Sequence, residues 1–277
     1  MIASDWGRWL IEAIEEDEVD ALTAWYLGCN GLAVKARDGT IIYVDPYLGL
    51  GDPPRTVRMI PVPFDPDAPT RASALLVTHE HTDHLHGATQ GPMLASTGAT
   101  LYAPEVSIAR IDAEGWVEQY DLEEEQVATV DVAETIDLGG LAVTVERCHD
   151  PDAEQAHTYV ISDGRRTIAH CADGRPFDGL ERIGETHDID LAVAAVGSSG
   201  MIPDKRTRKP TETTWYNDAN DVVRMASMLR ADRLVPTHWD MWKGLTADPT
   251  GLIETRRSFT YPAAVEVLEI GDRIVLD

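Results

Sequence analysis

The stretch Val77-Thr78-His79-Glu80-His81-Thr82-Asp83-His84-Leu85-His86-Gly87 constrains this chain more than any other. It sets four histidines and an aspartate within eight residues, directly after the apolar run Ala74-Leu75-Leu76-Val77. A short apolar run of this kind reads as a buried strand. His79, His81, Asp83 and His84 therefore fall in the loop leaving that strand, just before a helix expected to open near Gly87. Irregular backbone there can aim several side chains at one point. Neutral imidazoles and carboxylates are the donors that zinc, manganese and iron take. Nine histidines scattered at random over 277 residues would rarely crowd in this way.

One loop cannot fill two coordination spheres, so further ligands are expected at other strand ends. Asp173 follows the strand Thr167 to His170, His238 ends the strand Leu234 to Thr237, and His149 directly follows the strand ending at Arg147. His157 begins a strand and competes with His149. His86 reads as a helix-start residue or a neighbour of the ligands, and His170 as a residue that lines the site or simply packs. Asp45, at the end of the strand Ile41 to Val44, either orients a ligand imidazole or caps a turn before Pro46. Trp239 and Trp242, beside His238, suit a pocket wall or the core.

The net charge of -25 argues against a general nucleic-acid or anionic-membrane surface, since both need positive potential. No apolar run approaches the length of a membrane span. The N-terminus carries acids and tryptophans where a signal peptide would carry basic and then apolar residues. Cys29, Cys148 and Cys171 form an odd count with no close pair, which suggests reduced thiols and a cytoplasmic location.

Along the chain, Ser4 is expected to cap a helix over 4–19, with Trp6, Trp9, Leu10, Ala13 and Ile14 on one apolar face and Glu15 to Glu18 as a solvated end. Such a face suits docking on the protein's own core or on a neighbouring subunit, so a homo-oligomer is expected. Strands follow at 24–27, 32–36 and 41–44, with Asp38-Gly39 as a hairpin turn. Residues 49–70, rich in Gly, Pro and Asp, read as a long functional loop. Helices are expected at 88–97, 105–114, 178–187 and 218–231. Further strands are expected at 101–103, 127–132, 134–138, 141–147, 158–161, 167–170, 191–196 and 234–238, and a closing hairpin joins 265–270 to 273–276. Strands and helices interleave in two similar halves, which suggests two facing sheets with helices outside. No linker-like shift in composition occurs, so residues 1–277 read as a single domain with a helical N-terminal extension over 1–20.

Thr-His-x-His-x-Asp-His resembles the signature of the metallo-β-lactamase superfamily. The fold this implies is its αββα four-layer sandwich, two facing mixed β-sheets with outer helices. Trp6-Gly7-x-Trp9-Leu10, Trp25-x-Leu27-Gly28-Cys29-x-Gly31, Val44-Asp45, Arg224-Met225 and Pro236-x-His238-x-Asp240-x-Trp242 are more particularly similar to the L-ascorbate-6-phosphate lactonase family. The resemblance implies two divalent ions, Zn or Mn. His79, His81 and His149 would hold one, Asp83, His84 and His238 the other, with Asp173 between them.

The expected function is that of a metal-dependent hydrolase opening a small anionic lactone, a sugar phosphate among the candidates, hence a lactonase or carboxylic ester hydrolase. Two ions lower the pKa of a shared water and give hydroxide near neutral pH. Asp83 and His238 would serve catalysis as well as binding, Asp83 by holding the nucleophile and carrying a proton. A phosphodiesterase acting on a small or cyclic phosphodiester is the alternative, and a catalytically inactive metal-binding scaffold is a third reading. Lys205, Arg206, Arg208 and Lys209, the one dense basic run, form either a solvated loop or, if they face the metals, a site for an anionic small molecule, for which Trp239 and Arg8 are the other places to look.

Overall fold

The computed structural model describes residues 2–4, 6–204 and 206–277. The first half lays down β1 (Leu22–Gly28), β2 (Gly31–Lys35), β3 (Ile41–Val44), β4 (Ala74–Leu76), β5 (Thr100–Ala103) and β6 (Val127–Thr129) as neighbours in one sheet. The second half lays down β7 (Thr135–Asp137), β8 (Ala142–Arg147), β9 (His157–Ser162), β10 (Thr167–His170) and β11 (Leu191–Ala195) in another. The chain then leaves that sheet for a separate hairpin, β12 (Ser199–Pro203) and β13 (Pro210–Thr214). It returns with β14 (Arg233–Thr237) and β15 (Ala264–Val265), and β16 (Arg273–Leu276) closes the far edge of the first sheet beside β1. Each large sheet is antiparallel over part of its width and parallel over the rest.

The central strands are buried along their whole length because each sheet is covered twice, whereas β7 and β8 alternate buried and more exposed positions. In β1, Leu22, Ala24 and Tyr26 face the second sheet, while Trp25 and Leu27 face outward. The outer layer there is α1 (Trp9–Glu16), α2 (Gly87–Thr97), α3 (Glu105–Glu114) and α4 (Trp116–Tyr120), which contribute Leu10, Ile11, Ile14, Met93, Leu94, Ile111 and Trp116. The second sheet is covered by α5 (Gly179–Thr186), α6 (Ala219–Met228) and α7 (Thr250–Thr255), through Leu180, Ile183, Val222, Met225 and Leu252 among others. This is the αββα sandwich that the motif implied. Burial of each such Leu or Ile stabilises by about 1.5–3 kcal/mol.

The topology gathers strand exits at one place. β8, β10 and β14 run in the same direction, so the chain leaves all three at one edge of the second sheet. The exit of β4 faces that edge, and the His157 amide ties the sheets together by donating to the Thr78 carbonyl at 2.9 Å.

Several local expectations differ from the structure. Val265 to Ile270 and Arg273 to Leu276 do not form a hairpin: β15 and β16 lie in different sheets. Ser4 does not cap α1, which begins at Trp9; the Ser4 hydroxyl donates to the Val62 carbonyl and accepts from the Trp6 amide. Trp9 is 58% exposed, and Ile11 takes the inward place on that face. Glu15 is buried, accepting from Thr70 and Arg71 amides and from the Thr70 hydroxyl. The hairpin β12–β13 had no apolar alternation to announce it, since Pro210-Thr-Glu-Thr-Thr is polar and largely exposed.

Candidate metal centre

The exit of β4 carries His79, His81, Asp83 and His84 into the gap between the sheets. His79 and His84 are fully buried, and both are backed by one carboxylate. Asp45, at the end of β3, accepts from the Thr78 amide at 2.8 Å and from the Thr78 hydroxyl at 2.6 Å. That hydroxyl has given away its one proton, so its lone pair accepts from His79 Nδ1 at 2.9 Å. His84 Nδ1 donates to Asp45 Oδ2 at 2.7 Å. Both rings are thus held with Nδ1 protonated on the scaffold side and Nε2 turned toward the gap, as metal-binding imidazoles are held.

Asp173, in the turn after β10, meets both halves of the cluster. Its Oδ2 lies 3.2 Å from His84 Nε2 and 3.9 Å from His79 Nε2, and its Oδ1 lies 3.1 Å from His238 Nε2. His81 Nδ1 is 2.9 Å from His79 Nε2. Asp150 Oδ2 completes this side at 3.7 Å from His79 and 4.0 Å from His81. His79, His81, Asp150 and Asp173 bring one donor atom each within 4.8 Å of one another, and so do His84, Asp173 and His238. Asp83 joins His238 on the far side of the same cluster.

The charges are strongly coupled. Burial pushes the His79 imidazolium well down, and the neighbouring charge of His84 adds to this. Burial also opposes charge on His84, but the Asp173 and Asp45 carboxylates outweigh it and hold His84 well above the usual range. Burial likewise opposes ionisation of Asp173, and His238 and His84 outweigh it, holding the carboxyl well below its usual value. Asp150 is raised, chiefly by burial.

The donors fit divalent cations. Asp150 Oδ2 and Asp173 Oδ1 are buried without a hydrogen-bond partner, and the short approach of His238 to Asp173 Oδ1 has no hydrogen-bond geometry. Buried carboxylate oxygens without a partner are costly unless a cation satisfies them.

The remaining expected residues lie elsewhere. His149 is exposed, its ring 6.0 Å from that of Phe177, and the following residue, Asp150, turns into the cluster instead. His157 is buried with both ring nitrogens unbonded and is not in the cluster. His86 bonds the Thr89 hydroxyl, and His170 bonds the Asn30 carbonyl at 2.8 Å. Trp239 packs with the outer core of the second sheet. Arg206, Arg208 and Lys209 are exposed at the tip of the β12–β13 hairpin and do not line the cavity; Lys205 lies outside the described residues. Arg8 pairs with Glu12 on the surface of α1.

Other residues were not foreseen as parts of the site. Tyr216, entering from the hairpin, stacks on His238 with ring centroids 4.2 Å apart and donates to Asp83 Oδ2 at 3.4 Å. Cys29 Sγ lies 3.6 and 3.8 Å from the two His238 ring nitrogens. Cys29 also joins Asp83 and His238 in a third group whose donor atoms lie within 4.8 Å of one another, and burial pushes its thiol well up. His238 is thus in contact with both Tyr216 and Cys29. Over the cluster opens a cavity of about 740 Å³, whose walls include Tyr47, Trp215, Tyr216 and Trp242 together with Arg55, Arg110 and Arg175. Trp242 takes the pocket-wall place expected for it, whereas Tyr47, Trp215, Tyr216 and the arginines come from segments whose spacing could not announce them. Among the described residues no helix is long and apolar enough to cross a membrane.

The beta-lactamase superfamily domain matches residues 40–239, and the chain belongs to that superfamily. With the metallo-β-lactamase fold and the His/Asp cluster, this defines a metal-dependent hydrolase with a small-molecule substrate. Among curated relatives, the chain is 26% identical to a probable L-ascorbate-6-phosphate lactonase of Escherichia fergusonii, over 88% of this chain and 77% of that one. The corresponding protein of Salmonella gallinarum is 24% identical over the same shares. Among solved structures, a metallo hydrolase of Ignicoccus hospitalis superposes with a TM-score of 0.66 at 18% identity, covering 93% of this chain and 99% of that one. The isothiocyanate hydrolase from Delia radicum gut bacteria gives a TM-score of 0.66 at 14% identity, covering 92% and 99%. These two likenesses concern the fold.

Proposed function

We propose that this protein opens the ring of a small anionic lactone, using two divalent ions, zinc or manganese. The observation that carries the lactone is the 26% identity to a lactonase over 88% of the chain, which reaches beyond the matched domain. In this reading His79, His81, Asp150 and Asp173 hold one ion, and Asp83, His84, His238 and Asp173 the other. Two imidazoles with carboxylates suit either metal. The bound ions supply an acidified water and a Lewis acid for the carbonyl oxygen.

The chain's own residues do the rest. Asp45 and Thr78 fix the His79 and His84 tautomers, so neither ring can turn its lone pair away. Tyr216 and Cys29 both contact His238. Asp83, with a hydrogen bond from the Tyr216 phenol, keeps one oxygen free to take a proton and return it to the leaving alkoxide. The aromatic wall of Tyr47, Trp215 and Trp242 excludes water from one side of the cavity.

The test is turnover by metal-loaded enzyme on a panel of sugar lactones, with bis(p-nitrophenyl) phosphate and cyclic nucleotides alongside. Ring opening of an anionic lactone is the expected result. Vigorous phosphodiester cleavage with no lactone opened would replace the reading with that of a phosphodiesterase. No turnover by a fully metallated protein would leave a metal-binding scaffold.

A further inference from the structure

We infer that Asn30 is a positioning residue for His238, and through it for the one divalent ion that His238 holds. The inference deepens the two-ion reading above and rests on it. The segment Gly28-Cys29-Asn30-Gly31 turns β1 into β2, so its backbone belongs to the first sheet. Most of its polar contacts are with the second. The Cys29 carbonyl accepts from the His238 amide at 3.0 Å and from the Tyr26 phenol at 3.1 Å, which uses both of its lone pairs. The Asn30 carbonyl accepts from His170 Nε2 at 2.8 Å, and Asn30 Oδ1 accepts from the Thr237 hydroxyl at 2.6 Å. His170 ends β10, shortly before Asp173, and Thr237 ends β14, directly before His238. One dipeptide thus fastens both strands whose exits carry Asp173 and His238.

His238 needs such a hold. Its backbone lies at φ +63°, in the left-handed region that residues other than glycine rarely take. A residue persists there only where its surroundings fix it. The Cys29 carbonyl fixes its amide, and Asn30 Oδ1 fixes the residue before it. Among the described residues the Thr237 hydroxyl has no other hydrogen bond. Asn30 and Thr237 are fully buried, so water cannot replace either partner. The turn is also held tightly: Gly28, at φ +85°, packs so close to Ile60 and Ile270 that a Cβ there would lie 2.7 and 2.9 Å from their Cδ1 methyls.

The two ions should not feel this turn equally. His79 and His81 leave β4, and their contacts run to Thr78, Asp150 and the Asp152 carbonyl, with none to Cys29 or Asn30. His238 directly follows a residue that the Asn30 side chain holds. Asn30→Ala keeps the Asn30 carbonyl, and with it the bond from His170, so it removes the branch to His238 alone.

The test uses the full chain, stripped of metal and titrated with zinc in competition with a chromophoric chelator, which gives the affinity of each equivalent. His238→Ala identifies the ion that depends on His238. Asn30→Ala and Thr237→Val should each weaken that same ion about 10-fold or more and leave the other nearly unchanged. Thr237→Ser, which keeps the hydroxyl, should bind both ions as the wild type does. The double change Asn30→Ala, Thr237→Val should be no weaker than the worse single change, because both remove one bond. Should Asn30→Ala fail to fold, Thr237→Val, which keeps the shape of the side chain, decides the matter with Thr237→Ser beside it. A lowered melting temperature in metal-free Asn30→Ala with both zinc affinities unchanged would make the residue structural only and overturn the inference, as would equal weakening of both ions. A wild type that takes one equivalent sinks the two-ion reading by itself; the inference then stands only if His238→Ala and Asn30→Ala both weaken that ion. No lactone enters the test, so the lactone reading can fail without altering its result.

Discussion

His84 and His81 sit three residues apart on one loop, yet they occupy opposite kinds of ground. The His84 side chain is fully buried, with Asp45 behind it at 2.7 Å and Thr78 fastening Asp45 in turn. The His81 side chain is 36% exposed, and its remaining nitrogen reaches only the main-chain carbonyl of Asp152 at 3.1 Å. The inner wall of the cluster is therefore built into the sandwich, while the outer wall is assembled from loops at the cavity mouth. An inner wall of this kind can hold a donor atom to a fraction of an ångström, and the outer wall leaves room for substrate. Changes on the two walls should consequently have different signatures.

The largest effect is expected at Asp173, the one residue that faces both walls. Asp173→Ala should strip metal from both positions and lower turnover about 1,000-fold or more, as read by elemental analysis and initial rates. Retention of one tightly held equivalent would mean that the walls do not share this carboxylate. Next come Asp45→Ala and His81→Ala, compared directly. Asp45→Ala should weaken metal binding about 10–100-fold and cost about 2–4 kcal/mol of stability by leaving Thr78 and His84 unpaired in the interior. His81→Ala should also lose metal, but with a stability change within about 1 kcal/mol. Equal destabilisation by the two, in urea titrations of chelator-treated protein, would erase the distinction between the walls.

The same contrast explains what could be read in the sequence. The β4 exit was legible because its donors are contiguous and follow a plain apolar strand. The central strands were legible because their apolar runs are covered on both faces, and most helices because each turns one apolar stripe inward. Asp45 was visible as a candidate, but its choice between ligand support and turn capping depended on where Thr78 would stand. The outer wall was harder. His149 and Asp150 both follow β8, and which of them turns inward depends on the backbone path after the strand, which residue type does not fix. The β12–β13 hairpin has no apolar face to reveal it, so Tyr216 and Trp215 could not be placed. The basic run at 205–209 drew attention by composition, whereas the arginines that line the cavity, Arg55, Arg110 and Arg175, stand singly in the sequence.

A third expected effect concerns His157, whose amide supports the inner wall. Burial pushes its imidazole down to about 4, the nearby charge of Asp131 acting the other way. The unfolded chain takes up that proton near pH 6.5, so between pH 6.5 and 4 the unfolded state binds more protons than the folded one. The contribution to stability is complete above pH 6.5 and is lost as pH falls toward 4, by about 2–3 kcal/mol. In metal-stripped protein, His157→Phe should flatten that part of the stability–pH curve. An unchanged slope would assign the acid sensitivity to other groups.

The smallest effect is expected from Tyr216→Phe, which removes the hydrogen bond to Asp83 but keeps the ring stacked on His238. Turnover should fall about 3–10-fold at unchanged metal content. A loss of metal instead would make the phenol part of the wall that holds the ions.

The most direct test of the central claim is the metal content of three proteins purified without chelator and reconstituted side by side: wild type, Asp150→Ala and His149→Ala. Two walls that close on Asp150 require about two equivalents in the wild type, about one in Asp150→Ala, and two again in His149→Ala. One equivalent in the wild type, or a loss in His149→Ala that Asp150→Ala does not show, would contradict the account.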